Sequence, residues 1–397
     1  MMRRIDLKKA NVARSNTIRD INRQIVLNYV REKGPISRAE ISQETALQRS
    51  TISLIVDELK AFGLIEEMSG ESSGGRPPIL LSLRTAHAVA VGIDIRTIRT
   101  TVATSDLTGR VIEQEDFPTD PDSEKTTSLI INCVKKFIKK NGGTIEGIGI
   151  SLPGLVDSEN DSVIFIPHFK WRDLALVSRI QAVTALPVIA DNDANAAALA
   201  ELWFGRPEIR EVRDFIMVLI EAGVGTGIVF DGQVYRGEGS AAGEFGHMTI
   251  GKGAPIACAA GNHECWEAFA SERAALARYA AETRTPGAGD ISFAQLVERA
   301  LRGEAVARTA LQETAYYIGI GIANLIQGLA PGAVIVGGTI VHAWPLIAEN
   351  VKAGAEATIC RGMPSAHIMA STLGAQPTLL GALSLVLATK FSLTSRV

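Results

Sequence analysis

Residues 37–63 read SRAEISQETALQRSTISLIVDELKAFG, a pattern that predicts two short amphipathic helices joined by a tight turn. Ser37 with Glu40 three residues later forms a capping box, which favours a helix start at this point. The second helix is predicted from Gln48 to Phe62, with its apolar side chains on one inner face. Two such helices are typical of a helix-turn-helix, in which the second helix enters the major groove of DNA.

The flanking sequence extends this unit into a winged helix-turn-helix. Apolar residues recur at helical spacing from Thr17 to Glu32, before the Gly34-Pro35 pair. Two strands are predicted after the second helix, at residues 64–67 and 79–83. We therefore expect a basic arm at residues 1–16 and a winged helix-turn-helix domain at residues 17–84.

The polar side chains at the front of the second helix are candidates for contacts with double-stranded operator DNA. Residues expected to read base edges in the major groove are Gln48, Arg49, Ser50, Thr51 and Ser53. Arg38 is expected to neutralise a phosphate, and Arg76 of a Gly-Arg-Pro tripeptide to enter an A·T-rich minor groove. The alternatives are a winged helix that binds protein and a Gly-Arg-Pro linker turn.

Charge is distributed unevenly along the 397 residues. Residues 1–50 contain eleven Lys or Arg and five Asp or Glu, whereas the whole chain has a net charge of −3. A basic N-terminal region on an acidic remainder is typical of a polyanion-binding protein, although a solvated surface gives the same pattern. The chain has no long apolar run, no signal-peptide pattern and only four cysteines, so we expect no membrane span, no disulfide framework and a cytoplasmic protein.

From residue 85 onward the pattern predicts an α/β body. A strand at residues 88–95 precedes a second strand at 99–105, and a strand at 214–221 precedes a glycine turn at 223–227. Helices are predicted at residues 173–184 and 265–283, among others. The repeated plan indicates an internal duplication and a two-lobed, actin-like (ribonuclease-H-like) fold at residues 85–397. The lobes are expected at residues 85–200 with a C-terminal helix and at 201–380, with ligands held between them.

Three polar segments carry the candidate chemistry. Asp191 to Asn195 ends a strand and opens a helix, where ligands bind in open α/β sheets, although Asp and Asn at this position also serve as helix caps. Glu244 and His247 lie on a glycine-rich loop. The segment from Cys258 to Glu267 supplies thiols close to a histidine, a pattern typical of zinc sites.

These motifs together resemble the ROK family of repressors, open reading frames and sugar kinases, and specifically its transcriptional regulators. The resemblance rests on the segments SLPGLVD (151–157), DNDAN (191–195), GVGTG (223–227), AGEFGH (242–247), 258–267 and PGAVIVGG (331–338). It implies that a sugar or sugar phosphate is bound by Asn192, Asp193, Glu244, His247 and Glu267. Carboxylates and amides suit a polyol, because their oxygens accept hydroxyl protons.

Two departures from the family pattern concern ATP and zinc. The family's phosphate loop, Asp-x-Gly-Gly-Thr-Lys, is replaced here by Asp94-Ile95-Arg96-Thr97-Ile98-Arg99. Without the glycines, backbone amides cannot approach phosphates easily, so no ATP binding is expected and Asp193 is expected to be a vestigial kinase base. The middle cysteine of the family's zinc segment is Ala260, which leaves His247, Cys258 and Cys265 with His263 as a candidate fourth ligand of one structural zinc. A metal-free loop with buried thiols is the alternative.

The sequence therefore predicts a DNA-binding transcriptional regulator, a repressor of carbohydrate-use genes whose DNA affinity changes when a sugar binds. We expect a homodimer or a tetramer of two such dimers. The first alternative is an active ATP-dependent ROK sugar kinase with an accessory DNA-binding head, and the second is a regulator whose body binds a protein. Side chains of Pro167, His168, Phe169 and Trp171 are expected either to stack on a sugar face or to latch the lobes.

Overall fold

The computed structural model describes residues 15–71, 77–85, 87, 89–141, 144–157, 162–209, 212–258, 260–261, 264–283, 291–363 and 366–391. These residues form two units. Among the described residues, one unit consists of those within the ranges Met1–Val89, Ser105–Arg110 and Leu387–Val397, and the other of those within Ala90–Thr104 and Val111–Val386. We call the part of the first unit before residue 86 the head and the second unit the body. Within the described residues, no helix combines the length and the apolar character needed to cross a bilayer.

Residues 15–71 and 77–85 of the head form three helices and a three-stranded antiparallel sheet. In chain order its elements are α1 (Ser15–Lys33), β1 (Ile36–Ser37), α2 (Arg38–Thr45), α3 (Arg49–Ala61), β2 (Ile65–Ser69) and β3 (Ile79–Leu83). The sheet has the order β1-β3-β2, and the two-residue strand β1, which the sequence did not predict, pairs Ile36 with Leu81. This architecture confirms the predicted winged helix-turn-helix, although α1 begins two residues earlier than expected.

Local sequence explains why α2 and α3 form. The Ser37 side chain accepts a hydrogen bond from the Glu40 backbone N–H, and the Glu40 carboxylate accepts one from the Ser37 N–H, as the capping box predicts. The inner face of α3 is fully buried at Ile52, Val56 and Leu59. Burying each of these side chains contributes roughly 2 kcal/mol, so the apolar stripe holds α3 in place and leaves its opposite face in solvent.

The body contains two five-stranded sheets with the same strand order. Its strands are β4 (Ala90–Ile95), β5 (Arg99–Ser105), β6 (Val111–Pro118), β7 (Gly147–Leu152), β8 (Leu155–Asp157), β9 (Ser162–Ile166), β10 (Trp171–Leu174), β11 (Val188–Asn192), β12 (Phe215–Ile220), β13 (Val224–Phe230), β14 (Gln233–Tyr235), β15 (Ala333–Gly337) and β16 (His367–Ala370). The first sheet runs β6-β5-β4-β7-β11 and the second β14-β13-β12-β15-β16. Three consecutive strands followed by two crossover strands in each sheet confirm the predicted duplication and the actin-like fold.

Helices cover these sheets. They are α4 (Ser123–Lys140), α5 (Leu176–Thr184), α6 (Asp193–Phe204), α7 (Trp266–Ala270), α8 (Glu272–Thr283), α9 (Phe293–Leu301), α10 (Ala305–Leu329), α11 (Trp344–Thr358) and α12 (Pro377–Phe391). A large buried cluster joins α7 to α11 with one face of the second sheet, around Trp266 and Tyr279.

Three local predictions were wrong. Residues 224–227, expected as a glycine turn, belong to β13. Residues 173–174, expected in a helix, belong to β10: the φ of +48° at Asp173 is incompatible with an α-helix, and Trp171 and Leu174 pair with Ile166 and Val163 of β9. The helix expected at 265–283 breaks at Ser271, whose extended backbone ends α7 and whose hydroxyl accepts a hydrogen bond from the Ala274 N–H at 3.3 Å in the first turn of α8.

The glycines of β13 serve helix packing instead of a turn. Helix α6 packs on the second sheet, where Ala194 and Ala198 join a cluster with Phe215 and other strand residues. A Cβ atom on Gly227 would lie 2.3 Å from the Ala194 carbonyl oxygen and 2.6 Å from the Ala198 Cβ. Only glycine permits this approach, which fixes the first turn of α6 against the sheet.

Candidate functional site

A cavity of about 380 Å³ lies in the body where β4, β11 and β12 end. Its polar lining includes residues from both halves of the duplicated fold, namely Asp94, Arg96, Thr97, Asn192, Asp193, Glu221, Thr226, Glu244, His247, Glu267, Arg273 and Thr378. The carboxyl ends of strands are the usual ligand-binding edge of α/β sheets. All five residues that the family resemblance assigned to sugar binding therefore line one cavity.

Asn192 is the N-cap of α6 and also a wall of the cavity. Its Oδ1 accepts hydrogen bonds from the N–H groups of Ala194 at 2.9 Å and Asn195 at 3.3 Å, and its Nδ2 donates to the Gly154 carbonyl at 3.1 Å. An amide carries two N–H donors, so one donor remains for a ligand. The capping interpretation of this motif is correct for Asn192, and it fixes the direction in which the amide points.

Asp191, in contrast, does not line the cavity. It is 2% exposed and accepts hydrogen bonds from Arg236 at 2.6 and 2.9 Å and from the Asn195 side chain at 3.2 Å. This carboxylate joins β11 to the segment that follows β14. Its function is thus to position the strand end that carries Asn192 and Asp193.

Glu244 and His247 lie on a short 3-10 helix, residues Glu244–His247, beside β13. A Cβ atom on Gly246 would lie 2.0 Å from the Val224 carbonyl oxygen, so glycine is needed for the helix to sit on the strand. The His247 Nε2 lies 3.6 Å from the Glu244 carboxylate, and the His247 Nδ1 lies 3.3 Å from the Cys258 sulfur. The two ring nitrogens thus face two different groups.

Glu267 and Arg273 form the opposite wall. Glu267 is 6% exposed and accepts a hydrogen bond from Arg273 at 3.1 Å. Arg273 also donates to the Ala222 carbonyl at 2.9 Å, which ties the start of α8 to the turn before β13. This arginine compensates part of the negative charge of Glu267, and sequence reasoning had not singled it out.

Arg96 occupies the turn where the family pattern has glycines. Its guanidinium donates to the Asp94 carboxylate at 2.8 Å and to the Thr378 hydroxyl at 2.7 Å, and it lies 3.3 Å from the Glu221 carboxylate. Asp94 belongs to the first sheet, and Glu221 directly follows β12, the central strand of the second sheet. The arginine therefore bridges acids from the two sheets.

The acids around Arg96 have strongly shifted pKa values. Burial raises the pKa of Glu221 to about 7, with Arg96 acting in the opposite direction and Asp94 adding to the shift. Burial, reinforced by Glu221, raises the pKa of Glu272 to about 8. Desolvation, again reinforced by Glu221, raises the pKa of Asp193 well above its ordinary value. With pKa values of about 7 and about 8, Glu221 and Glu272 are partly protonated near neutral pH, and a protonated carboxyl group can donate a hydrogen bond.

A candidate metal centre adjoins the cavity. Among the described residues, ligand atoms of His247, Cys258 and Cys265 all lie within 4.8 Å of one another. Cys258 and Cys265 are 5% and 0% exposed and are enclosed by Ala268 and other apolar side chains. An imidazole and two thiols are the donor set that zinc prefers, and they supply three of four tetrahedral ligands. His263, the predicted fourth ligand, lies outside the described residues.

The aromatic loop after β9 divides between cavity and core. Pro167 and His168 line the cavity, together with Phe165, whose role the sequence did not predict. Phe169 stacks on Trp171 with ring centroids 4.6 Å apart, and the Trp171 indole N–H donates to the Pro121 carbonyl at 2.6 Å. Phe169 and Trp171 therefore support the loop and do not line the cavity.

The predicted DNA-contacting residues lie on the solvent side of the head. Gln48, Arg49 and Ser50 are exposed at the start of α3, whereas Thr51 and Ser53 are half-buried. Arg38 pairs with Asp57 at 3.1 Å and with Glu67 at 2.8 Å, so its charge is already partly compensated. Arg76 lies outside the described residues. The exposed polar start of α3 fits the geometry of a recognition helix.

Comparison with known proteins places this architecture in a family. The ROK family profile matches residues 90–389. The xylose repressor of Bacillus spizizenii is 30% identical over 383 residues, which cover 95% of this chain and 97% of that protein. Among solved structures, a ROK family transcriptional regulator described as a homologue of the Escherichia coli MLC protein superposes with a TM-score of 0.78 at 28% identity, covering 94% of this chain and 98% of that one.

A kinase structure matches a smaller share of the chain. The ROK family glucokinase from Streptomyces griseus, in complex with glucose and AMPPNP, superposes with a TM-score of 0.68 at 29% identity. The match covers 75% of this chain and 98% of the glucokinase. The chain thus carries a kinase-like body together with a DNA-binding type of head, and it belongs to the ROK family.

Proposed function

We propose that this protein is a sugar-responsive transcriptional repressor that binds operator DNA through the head and a sugar through the body. The similarity to a xylose repressor along nearly the whole chain supports this function. The similarity to a ROK transcriptional regulator, which extends over the head, supports it further. A repressor of carbohydrate-use genes acting in the cytoplasm fits both relatives.

The position of Arg96 favours a sensor over a kinase. Arg96 lies in the turn after β4, held by Asp94 and Thr378, where the family's kinases have glycines whose amides approach phosphates. A side chain fixed in this place obstructs a nucleotide and leaves the polyol-binding carboxylates intact. The body would then bind a sugar without transferring a phosphoryl group.

In the proposed complex, the sugar hydroxyl groups are bound by Asn192, Asp193, Glu244, His247 and Glu267. Burial and the neighbouring Glu221 raise the pKa of Asp193, and this makes the Asp193 carboxylate easier to protonate and able in that form to donate a hydrogen bond to a sugar oxygen. Glu244 also has a raised pKa, through desolvation and the neighbouring Glu267.

The charge of the cavity favours a free sugar over a sugar phosphate. Five carboxyl groups line it, and its two arginines, Arg96 and Arg273, are each paired with an acid at 3.1 Å or less. No lysine lies among the described residues of its wall. A phosphate dianion would need unpaired cations in this place. Xylose, which the relative's name specifies for that repressor, is therefore the first ligand to test.

The proposed zinc would be held by His247, Cys258 and Cys265, with His263 as the fourth ligand. Zinc at this position would fix the imidazole through Nδ1 and leave Nε2 directed at Glu244 and the sugar. The metal is thereby a structural support for the sugar-binding loop.

The proposed regulation couples the two sites. The exposed start of α3 reads the major groove through Gln48, Arg49, Ser50, Thr51 and Ser53, while Arg38 and Arg76 contact the backbone and the minor groove. A homodimer, or a tetramer of two dimers, gains affinity by engaging two half-sites. The sugar lowers DNA affinity only if it binds the DNA-free state more tightly than the DNA-bound state.

Isothermal titration of the full-length protein with xylose, glucose and their phosphates, with and without ATP, tests this function. A free sugar that binds independently of ATP supports it, and Glu244→Gln should weaken that binding at least tenfold. Glu238→Gln is the matched control, because Glu238 is exposed and does not line the cavity. If no sugar binds while the protein folds normally, a protein partner becomes the better explanation of the body.

An active sugar kinase is the second candidate, favoured by the retained Asp193 and by the similarity to the glucokinase. Its test is the formation of a sugar phosphate from ATP and the sugar found by titration. Product at a rate typical of kinases, about 1–100 per second, would replace the sensor function. The obstruction by Arg96 leads us to expect no product above background.

A further inference from the structure

A leucine stands exposed in the middle of the recognition helix. Leu54 lies halfway along α3, and 67% of its surface is accessible to solvent. The other aliphatic residues of this helix, Ile52, Ile55, Val56 and Leu59, are at most 3% exposed. The packing of the head therefore does not explain Leu54.

The position of Leu54 places it among the groups predicted to face DNA. Residues four apart on a helix lie on the same face, so Leu54 continues the row that Ser50 begins toward the helix start. The next side chain of this face is Asp57, which pairs with Arg38 at 3.1 Å. Arg38 thereby compensates a negative charge that would otherwise repel phosphates beside Leu54.

We propose that Leu54 determines operator specificity by contacting the C5-methyl group of a thymine in the major groove. This inference rests on the proposed function of the head as a DNA-binding domain. The thymine methyl is the apolar group that base pairs display in this groove, whereas the other base edges offer hydrogen-bond donors and acceptors. The side chains of Ser50 and Arg49 can form hydrogen bonds to those edges, whereas an aliphatic side chain can make a favourable contact only with the methyl group.

This contact would also bury the apolar surface of Leu54 that is exposed to solvent in the free protein. A methyl group buried against an aliphatic side chain contributes a free energy that corresponds to about fourfold in affinity. The affinity of the wild-type protein for its duplex should therefore fall about fourfold when deoxyuridine, which lacks only that methyl, replaces the contacted thymine.

The test begins with duplexes selected by the full-length protein from a random-sequence DNA library. Each thymine of the selected consensus is then replaced singly by deoxyuridine, and binding is measured by fluorescence anisotropy for wild type, Leu54→Ala and Leu54→Met. Leu301→Ala is the matched control, since Leu301 is 51% exposed at the end of a body helix. Equal melting temperatures verify that the variants are folded.

We expect one thymine at which loss of the methyl lowers the affinity of wild type and of Leu54→Met about fourfold but does not change the affinity of Leu54→Ala. Leu301→Ala should behave as wild type at every position. Deoxyuridine effects that are unchanged in Leu54→Ala would overturn the inference while leaving DNA binding intact. If the selection enriches no sequence at all, the proposed DNA-binding function itself fails, and the two failures are thus distinguishable.

Discussion

Replacing Arg96 with methionine removes a guanidinium from between two carboxylates and keeps a side chain of similar length. In the folded protein this group lies 2.8 Å from Asp94 and 3.3 Å from Glu221, and its side chain is 19% exposed. The substitution leaves both acids in place without their cation. Removing one partner of a buried ion pair is strongly destabilising, because the remaining charge stays desolvated.

The magnitude of this loss depends on pH. At pH 8 Glu221, whose pKa is about 7, is mostly ionised, and we expect Arg96→Met to cost about 3 kcal/mol of unfolding free energy. At pH 5.5 Glu221 is protonated with or without Arg96, so only the pairing with Asp94 is lost and the cost falls to roughly 1–2 kcal/mol. In a Glu221→Gln background, the difference between the costs at pH 8 and pH 5.5 should therefore become smaller, and what remains reflects Glu272, which Arg96 also affects.

Urea unfolding followed by tryptophan fluorescence measures this effect in the body alone, because all four tryptophans lie between residues 171 and 344. Arg99→Met is the matched control: Arg99 is 48% exposed and 3.7 Å from Asp116, and exposed pairs are worth about 0–1 kcal/mol. An equal loss for Arg96→Met at both pH values, or no smaller loss with Glu221→Gln, would refute the electrostatic explanation.

Three further predictions concern other parts of the chain. The pKa of Glu272 is raised to about 8 from an ordinary 4.5, so the stability that its proton contributes is complete below pH 4.5 and is lost as the pH rises through 8. Urea unfolding of the wild type from pH 5 to 9 should therefore show a fall in unfolding free energy, and Glu272→Gln should reduce this fall by on the order of 3 kcal/mol. Gly227→Ala should lower body stability by about 1–3 kcal/mol and weaken sugar binding, because the new Cβ would meet the Ala194 carbonyl, whereas Gly328→Ala, with open space around it, should not. Ser37→Ala should cost about 1 kcal/mol by removing the cap of α2, which amide hydrogen exchange in the head would detect as faster exchange, while unchanged exchange would contradict the capping role.

Local patterns were sufficient to predict the head and the duplicated body. Ser37 with Glu40 marks a helix start that depends only on neighbouring residues, and the structure confirms it. The motif residues Asn192, Glu244 and Glu267 were expected in one site because the resemblance to the ROK family assigns them to sugar binding, and all three line the same cavity. Features that depend on short segments of the chain can thus be predicted from the sequence.

Contacts between distant segments could not be predicted. Arg96 and Thr378 are separated by 282 positions, and no local pattern indicates that they share a hydrogen bond. Glu221 was predicted only as the end of a strand, and Arg273 only as part of a helix, because their chemistry depends on what the fold places beside them. The glycines at 225 and 227 were misread as a turn, since glycine favours turns and close helix packing equally.

The measurement that tests the central claim most directly is sugar-dependent release of DNA. Full-length protein is bound to a fluorescent duplex obtained by selection, and xylose and other free sugars are titrated in with and without ATP. We expect one unphosphorylated sugar to lower the anisotropy saturably and ATP to have no effect. Glu244→Gln should shift the midpoint of this titration at least tenfold while retaining DNA binding. Release that requires ATP together with the sugar, or no release by any sugar that binds the body, would contradict it.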